Sequence, residues 1–247
     1  MRVTYLGHSS VLLEIDGVRV LTDPLLRDRV VHLVRHSEPV GLDEVRSVDA
    51  VLVSHLHHDH FHPASLKLLD RGARLIVPHG ARARAERLGF ERTSELAAGE
   101  STQVGVLRIE ATPAEHRSGR LLARGPRPVG FRIAGTSSAY FAGDTDLFAD
   151  MEKIRGDGLD LALLPVWGWG PRLPAGHLDP RTAARAAALL EPRVAVPIHW
   201  GTFAMRGMRR AKPHFLIDPP FQFESAVEET GAPVEVRVLQ PGESSDV

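Results

Sequence analysis

The sequence contains no cysteine in its 247 residues. Disulfide bridges and thiolate zinc sites are therefore excluded, and any metal site must be built from histidine and carboxylate ligands. The chain also lacks an apolar run long enough for a membrane span, and its N-terminus lacks the charged-then-apolar pattern of a signal peptide. We therefore expect a cytoplasmic protein without stable membrane anchoring.

A strong net charge is missing as well, since the formal net charge is −1 and the sequence pI is about 6.9. Such a chain presents no global basic field, so we expect no nucleic-acid partner. Apolar residues make up 43% of the sequence, which is enough to bury a large core at this length. We expect residues 1–247 to form a single α/β domain.

Strand and helix patterns predict the architecture. Three β-rich runs open the chain, at Val3–Leu6, Val11–Ile15 and Val18–Leu21. Asp16-Gly17 separates the second run from the third and is a two-residue hairpin signal. The segment 26–40 has no clear period, and we expect a loop there. Later segments predict helices at 63–69, 81–88, 147–154, 182–190 and 223–229 and buried strands such as 159–166 and 194–198. Two sheets with helices outside them, a four-layer αββα sandwich, fit this order.

A dense histidine cluster follows the apolar run Ala50–Val53, where a buried strand would enter a loop. His55 and His57 are two residues apart, so an extended chain places both imidazoles on one face, where they can share one metal ion. Asp59 and His60 follow, beyond the predicted strand, and can turn toward a second ion. A polar histidine-rich loop is the alternative interpretation.

Three further candidate ligands stand at the ends of later apolar runs. His116 follows the strand predicted to end at Thr112, Asp144 follows Ala139–Ala142, and His199 follows Val194–Ile198. Functional residues of α/β folds gather at such strand ends. Taken together, these residues complete a site for two metal ions.

These motifs together resemble the metallo-β-lactamase superfamily. The order of four motifs carries the resemblance: His55-x-His57-x-Asp59-His60, Glu115-His116, Gly143-Asp144-Thr145 and Ile198-His199-Trp200-Gly201-Thr202-Phe203. Further motifs look like the N-acyl-phosphatidylethanolamine phospholipase D-like and ascorbate-6-phosphate lactonase-like branch, namely Leu6-Gly7-His8-Ser9-Ser10, Leu21-Thr22-Asp23-Pro24 and His177-Leu178-Asp179-Pro180. The resemblance implies the αββα sandwich already expected from the strand and helix pattern.

The resemblance also implies a role for each ligand. The first ion would be held by His55, His57 and His116, the second by Asp59, His60 and His199, and Asp144 would bridge them. We expect two zinc ions per chain, with manganese or iron as alternatives, because all donors are nitrogen or oxygen. A water between two dications becomes hydroxide near neutral pH, which predicts hydrolysis of a phosphodiester, a lactone or another ester.

Other residues gain roles from the same resemblance. His8 and Asp23 would orient ligands, although an aspartate before proline is also an ordinary turn residue. Asp59 and His177 are the predicted catalytic residues, with His177 facing the substrate and protonating the leaving group; a loop histidine that only packs is the alternative. Arg120 and Trp167 are the predicted substrate-binding residues, and Arg120 can equally belong to a solvated hairpin.

Two other functional classes stay open at this point. A mononuclear iron oxygenase of the same fold would leave Asp59 unbound, and a non-catalytic metal-binding or sensor protein would turn over nothing. For the hydrolase we expect a small, anionic substrate, and a homo-oligomer remains open.

Overall fold

The computed structural model describes residues 1–116 and 125–247 of the chain. Its strands, in chain order, are β1 Arg2–Gly7, β2 Ser10–Ile15, β3 Val18–Thr22, β4 Arg29–Val30, β5 Leu33–Arg35, β6 Ala50–Leu52, β7 Arg74–Pro78, β8 Arg92–Leu96, β9 Ser101–Val104, β10 Leu107–Pro113, β11 Val129–Ala134, β12 Ser138–Phe141, β13 Leu161–Pro165, β14 Val194–Ile198, β15 Phe203–Met205, β16 Glu235–Val236 and β17 Ser244–Asp246. The helices are α1 Leu42–Val45, α2 Pro63–Leu66, α3 Arg82–Glu86, α4 Pro180–Leu190, α5 Met208–Ala211, α6 His214–Ile217 and α7 Pro219–Thr230, with a 3-10 helix at Met151–Arg155.

These strands form two seven-stranded sheets and one small sheet. The first sheet has the order β17-β1-β2-β3-β6-β7-β8, and the second has the order β16-β14-β13-β12-β11-β10-β9. In each sheet an antiparallel part leads along the chain, and a parallel part follows it, from β3 in the first sheet and from β12 in the second. The third sheet, with the order β15-β5-β4, joins residues far apart in the chain.

Alternation along the strands builds the layers. In β2 the side chains of Val11 and Leu13 enter the core shared with the second sheet, whereas Leu12 enters the core under α2 and α3. The shared core continues through the second sheet to α4 and α7, where Ala183 and Phe223 are buried. Because successive side chains of a strand point to opposite faces of the sheet, apolar side chains are buried on both faces of each large sheet. The predicted αββα sandwich is confirmed.

The Asp16-Gly17 hairpin forms as predicted, with both residues in the left-handed region at φ 52° and 77°. Its aspartate also reaches the second sheet, where the Thr136 backbone N–H and hydroxyl both donate to the Asp16 carboxylate. Thr136 lies in the turn between β11 and β12. One turn of each sheet is thus tied to a turn of the other.

Helix α4 begins as the sequence predicts. The Asp179 side chain accepts a hydrogen bond from the Thr182 backbone N–H at 2.8 Å, and the Thr182 hydroxyl closes a capping box. Pro180 occupies the first turn, where a missing N–H costs nothing. No helix in the described parts of the chain is both long and apolar enough to cross a bilayer.

Two predictions of local structure were wrong, and one strand was missed. Segment 26–40 contains β4 and β5, which pair with each other, and β5 also pairs with β15. The predicted helix 147–154 is a 3-10 helix at Met151–Arg155, because Asp150 adopts a left-handed φ of 68° and interrupts the run. Strand β8, at the edge of the first sheet, was not predicted.

Candidate metal centre

The predicted ligands gather where strands of the two large sheets end next to each other. His55, His57, Asp59 and His60 follow β6 of the first sheet. In the second sheet His116 follows β10, Asp144 follows β12 and His199 follows β14. Distant parts of the chain are therefore brought to one place by the sheet topology.

Three imidazoles form the first cluster. His57 Nδ1 lies 2.9 Å from His55 Nε2 and 3.1 Å from His116 Nε2. A tetrahedral zinc ion with bonds of about 2.0–2.1 Å holds its nitrogen ligands about 3.3 Å apart. The spacing of these three nitrogens is within a few tenths of an ångström of that arrangement.

The second cluster contains Asp59, His60, His199 and His8. The Nε2 atoms of His60 and His199 are 3.3 Å apart, and Asp59 Oδ2 lies 3.8 Å from His60 Nε2. His8 Nε2 contacts Asp59 Oδ2 at 3.1 Å, and the His8 ring packs on the His199 ring with centroids 3.9 Å apart. His8 therefore both fixes the Asp59 carboxylate and supports the His199 ring.

Asp144 lies between the two clusters. Its Oδ2 is 3.2 Å from His60 Nε2 and 3.9 Å from His55 Nε2, and its Oδ1 is 3.3 Å from His199 Nε2. The carboxylate is almost fully buried, and Oδ1 has no hydrogen-bond partner among the described residues. A buried carboxylate oxygen left unpaired is costly unless a cation serves it.

Hydrogen bonds of the Nδ1 atoms determine which ring nitrogens of His116 and His199 carry the lone pairs that face the clusters. His116 Nδ1 donates to the Gly176 carbonyl at 2.8 Å, and His199 Nδ1 donates to the Trp167 carbonyl at 3.0 Å. Since a neutral imidazole carries one proton, the Nε2 atoms of both rings present lone pairs to the site. The His199 lone pair then faces the Asp144 carboxylate, an arrangement that a shared cation stabilises.

Asp23 orients His60 from behind. Its Oδ2 accepts from His60 Nδ1 at 2.7 Å and from the Ser54 hydroxyl at 2.5 Å, while its Oδ1 accepts from the Ser54 backbone N–H at 2.7 Å. The Ser54 hydroxyl is also 3.0 Å from His55 Nδ1. A carboxylate that holds the far side of a histidine in this way is the usual support of a metal ligand.

Burial controls the charge of most histidines. It lowers the pKa of His55, His57 and His116, and it lowers the pKa of His199 to about 3. These rings are neutral at pH 7, which is the state that binds metal ions.

The carboxylates have the opposite balance. Burial raises the pKa of Asp144, but His199 and His60 outweigh this effect and hold that pKa well below the ordinary value. Burial also raises the pKa of Asp59, and there His60 and His8 outweigh it, so that this pKa is likewise held well below the ordinary value. For His60 the burial effect, which lowers its pKa, is outweighed by Asp144, Asp59 and Asp23, so the pKa is raised. The neutral rings of His55, His57, His116 and His199, together with the ionised carboxylates, fit a divalent metal ion.

The backbone is held in uncommon conformations around these ligands. His8, Asp23 and His199 have φ angles of 57°, 30° and 63°, and the His199 N–H donates to the His8 carbonyl at 2.7 Å. Gly143 has φ 61°, and a Cβ there would lie 2.5 Å from the Ser54 Cβ, so glycine is needed directly before Asp144. Residues in such conformations cluster at functional sites.

A cavity of about 370 Å³ opens onto the metal-ligand clusters. His177 lines it, with Nε2 at 3.4 Å from Asp144 Oδ2 and Nδ1 at 3.1 Å from the Pro174 carbonyl. Burial lowers the pKa of His177, but the hydrogen bond and charge of Asp144 outweigh it and raise the pKa above its ordinary value. His177, His116 and Asp144 also form a third group that could hold an ion.

The two predicted substrate-binding residues have different outcomes. Arg120 lies outside the described residues. Within the described chain, Trp169 and not Trp167 lines the cavity, because the Trp167 indole donates to the Gly170 carbonyl and packs against the core. Trp167 contributes its backbone carbonyl to His199 instead.

The sequence interpretation missed several residues of the cavity wall, namely Val30, Val31, His32, Leu33, Trp169 and Arg172. They come from the β4–β5 hairpin and the loop 168–174. Neither segment shows a period or a motif, so only the Trp/Pro/Gly-rich composition of the loop pointed to it.

Comparisons with known proteins agree with this site. A family model described as beta-lactamase superfamily domain matches residues 18–200. A UPF0173 metal-dependent hydrolase from Methanopyrus kandleri is 39% identical over 252 residues, covering 99% of both chains, and another from Opitutus terrae is 36% identical over 256 residues, covering 100% of both. Igni18, a novel metallo hydrolase from Ignicoccus hospitalis, is 30% identical with a TM-score of 0.76, covering 99% of this chain and 97% of that one.

The match extends over most of the chain and includes every residue of the described His/Asp clusters except His8. It confirms the superfamily resemblance, whereas the narrower phospholipase D-like or lactonase-like branch stays a prediction. The chain belongs to the beta-lactamase superfamily and is one of its metal-dependent hydrolases.

Proposed function

We propose that this protein is a dinuclear metal-dependent hydrolase that cleaves a small ester, lactone or phosphodiester. The observation that carries the proposal is the position of Asp144. Its carboxylate lies between the two histidine clusters, buried, with Oδ1 unpaired among the described residues. A carboxylate with two oxygens can serve two cations and offset their mutual repulsion.

In this proposal each cluster holds one ion. His55, His57 and His116 would hold the first, Asp59, His60 and His199 the second, and Asp144 would contact both. Zinc suits imidazole and carboxylate donors in sites of few ligands. The same donors accept manganese or iron, so elemental analysis decides the metal.

When bound, two divalent ions would lower the pKa of a water molecule to near neutrality and polarise the reacting oxygen of the ester. The chain's own residues hold this arrangement in place. His8 fixes the Asp59 carboxylate, and Asp23 fixes the His60 ring. His177, which lines the cavity outside both clusters, would donate a proton to the leaving-group oxygen, so that water and ester give an acid and an alcohol.

The cavity supports a small substrate with an anionic group. Its volume of about 370 Å³ falls in the range of small-molecule sites. Arg172 is the one lysine or arginine among the described residues of its wall, and no carboxylate lies within ion-pair distance of it in the described chain. A guanidinium without an ion-pair partner among the described residues is suited to bind a carboxylate or phosphate of the substrate.

The first prediction is that the purified chain carries two zinc ions and that Asp144→Ala reduces this to one or fewer. Hydrolysis should fall by at least about 100-fold, because both ions lose a shared anionic ligand. Elemental analysis after gel filtration, together with assays of nitrophenyl esters and phosphodiesters, measures both effects.

Asp157→Ala is the matched control, since Asp157 is exposed and lies in a turn after the 3-10 helix. That variant should keep two ions and parental turnover. A single iron per chain in the parent protein would contradict the dinuclear proposal and favour a mononuclear iron oxygenase. Full metal content without turnover of any substrate tested would favour a non-catalytic metal-binding protein.

A further inference from the structure

The β4–β5 hairpin places an apolar tip at the mouth of the metal-site cavity. Val30 pairs with Leu33, so Val31 and His32 are the two central residues of the turn. All four residues line the cavity. The tip is therefore part of the surface that a substrate meets.

Val31 is an unusual residue for this position. Its φ of 51° lies in the left-handed region, and it is the first central residue of a two-residue hairpin turn whose second residue has no positive φ. That is the position at which glycine is preferred, and a β-branched residue is strained there. Turn formation therefore does not explain the valine.

Core packing does not explain it either. The Val31 side chain is 75% exposed, whereas its neighbours Val30 and Leu33 are only 3% and 4% exposed. Val30 and Leu33 pack with Leu25 and Phe203, and the half-buried Trp169 covers this small cluster. Val31 extends beyond the cluster into solvent at the cavity.

The apolar surface is continuous with the reacting centre. Trp169 and Val31 line the same cavity as Asp144 and His177. The His32 ring stands edge-on to the Trp169 ring with centroids 5.6 Å apart, which holds the loop and the hairpin against each other. A group bound at Asp144 would thus have an apolar neighbour within one cavity.

We propose that Val31 and Trp169 form the binding surface for an apolar chain of the ester substrate, with Val31 as the specificity-determining residue. This inference rests on the proposed hydrolase function and names its substrate class. Burial of Val31 by a substrate chain gives the strained, exposed valine the apolar contact that the fold does not provide.

The test uses metal-replete protein and nitrophenyl esters with acyl chains of two, four, six and eight carbons. For the parent, kcat/KM should rise about two- to fourfold for each added methylene until the cavity is filled. Val31→Gly should reduce this rise to less than half, so that kcat/KM falls most for the eight-carbon ester and least for the two-carbon ester. The same variant should unfold at the same or a higher temperature, because glycine fits the turn better than valine.

Val106→Gly is the matched control. Val106 is another highly exposed valine, 67% exposed, in the turn between β9 and β10. Its replacement should leave the dependence on chain length at the parental value. A parental chain-length dependence in Val31→Gly would overturn the proposal, because a purely structural role predicts only the change in unfolding temperature.

A second measurement does not depend on turnover. Hexan-1-ol should quench or shift the Trp169 fluorescence of the purified, metal-replete protein at lower concentration than ethanol does. Val31→Gly should remove most of this difference, and Trp169→Phe supplies the background of the other tryptophans. If no ester is hydrolysed, the proposed function fails, and the alcohol titration still decides the binding surface. Equal titrations for the two alcohols would overturn the proposal.

Discussion

His177 occupies a position from which it can act on substrate without holding an ion. Its Nδ1 lies 3.1 Å from the Pro174 carbonyl and its Nε2 lies 3.4 Å from Asp144 Oδ2, so both ring nitrogens face acceptors. A ring that faces two acceptors donates to both only when it is protonated. The geometry therefore presents a proton donor at the edge of the cavity.

We predict that His177→Ala keeps both metal ions and loses catalysis selectively. For an unactivated alkyl ester, kcat/KM should fall by about 10² to 10⁴-fold, because the leaving alkoxide loses its proton donor. For a nitrophenyl ester the fall should be much smaller, since that leaving group needs no proton. Metal content is measured in parallel.

His214→Ala serves as the control, because His214 is an exposed residue of α6. Equal losses on both esters would assign His177 to substrate binding. Loss of metal would assign it instead to the group that it forms with His116 and Asp144.

At the scale of the element, local signals determined which predictions succeeded. The Asp16-Gly17 turn and the Asp179 cap of α4 are complete within a few residues of sequence, and both formed as predicted. Strand β5 pairs with β15, about 170 residues later, and segment 26–40 has no clear period, so the sequence pattern did not reveal β4 and β5. The 3-10 helix at Met151–Arg155 likewise follows from the left-handed Asp150 and not from periodicity.

The candidate site likewise contains residues with a local sequence signal and residues without one. Its metal-ligand clusters could be predicted because the ligands stand at or shortly after the ends of apolar strands, and the sheet order brings those strand ends together. The cavity wall could not be predicted, because the exposure of Val31 and the choice of Trp169 over Trp167 depend on how the loop 168–174 packs against the hairpin.

The hairpin turn of β2 and β3 supports a pH-dependence prediction. Two hydrogen bonds donated to Asp16 lower the pKa of its carboxyl below the ordinary value of 3.8. The larger effect comes from the Thr136 hydroxyl and the smaller one from the Thr136 backbone N–H. A depressed pKa in the folded state contributes stability that is present above the unfolded pKa and is lost as pH falls through the folded one. The contribution should therefore disappear below about pH 4.

We accordingly expect Asp16→Asn to unfold at a lower temperature than the parent at pH 7, with the two melting temperatures converging as the pH falls toward 3. Asparagine keeps the left-handed turn preference, so the comparison isolates the charge. Thermal melts monitored by circular dichroism between pH 3 and pH 7 measure this. Asp157→Asn should show no such convergence, and a constant gap across the range would contradict the assignment.

For the whole molecule, the candidate metal centre lies where the two large sheets meet. The first sheet provides His55, His57, Asp59 and His60, and the second provides His116, Asp144 and His199. Bound ions would cross-link two halves that are otherwise held by their shared apolar core and by contacts such as the tie from Asp16 to Thr136. Metal binding should therefore contribute directly to folding stability.

Removing the metal with a chelator should lower the melting temperature by about 10 °C or more. An ion at a thousandfold excess over its dissociation constant stabilises by about 4 kcal/mol, and each kcal/mol shifts the melting temperature by about 2–4 °C in a domain of this size. Differential scanning calorimetry with and without added zinc measures the change. Asp144→Ala should show a smaller response, and an unchanged parental melt would refute a cross-linking role.

The small sheet of β15, β5 and β4 shares no strand with either of the large sheets, among the described residues. Its hairpin tip nevertheless forms a wall of the cavity in which the metal ligands lie. In the proposed function, reactivity and recognition would lie in separate stretches of the chain, so mutations confined to residues 29–35 would replace none of the metal-ligating residues. A library restricted to that hairpin should yield enzymes with new substrate preferences and inherited chemistry, a route by which a single ancestral scaffold can diversify.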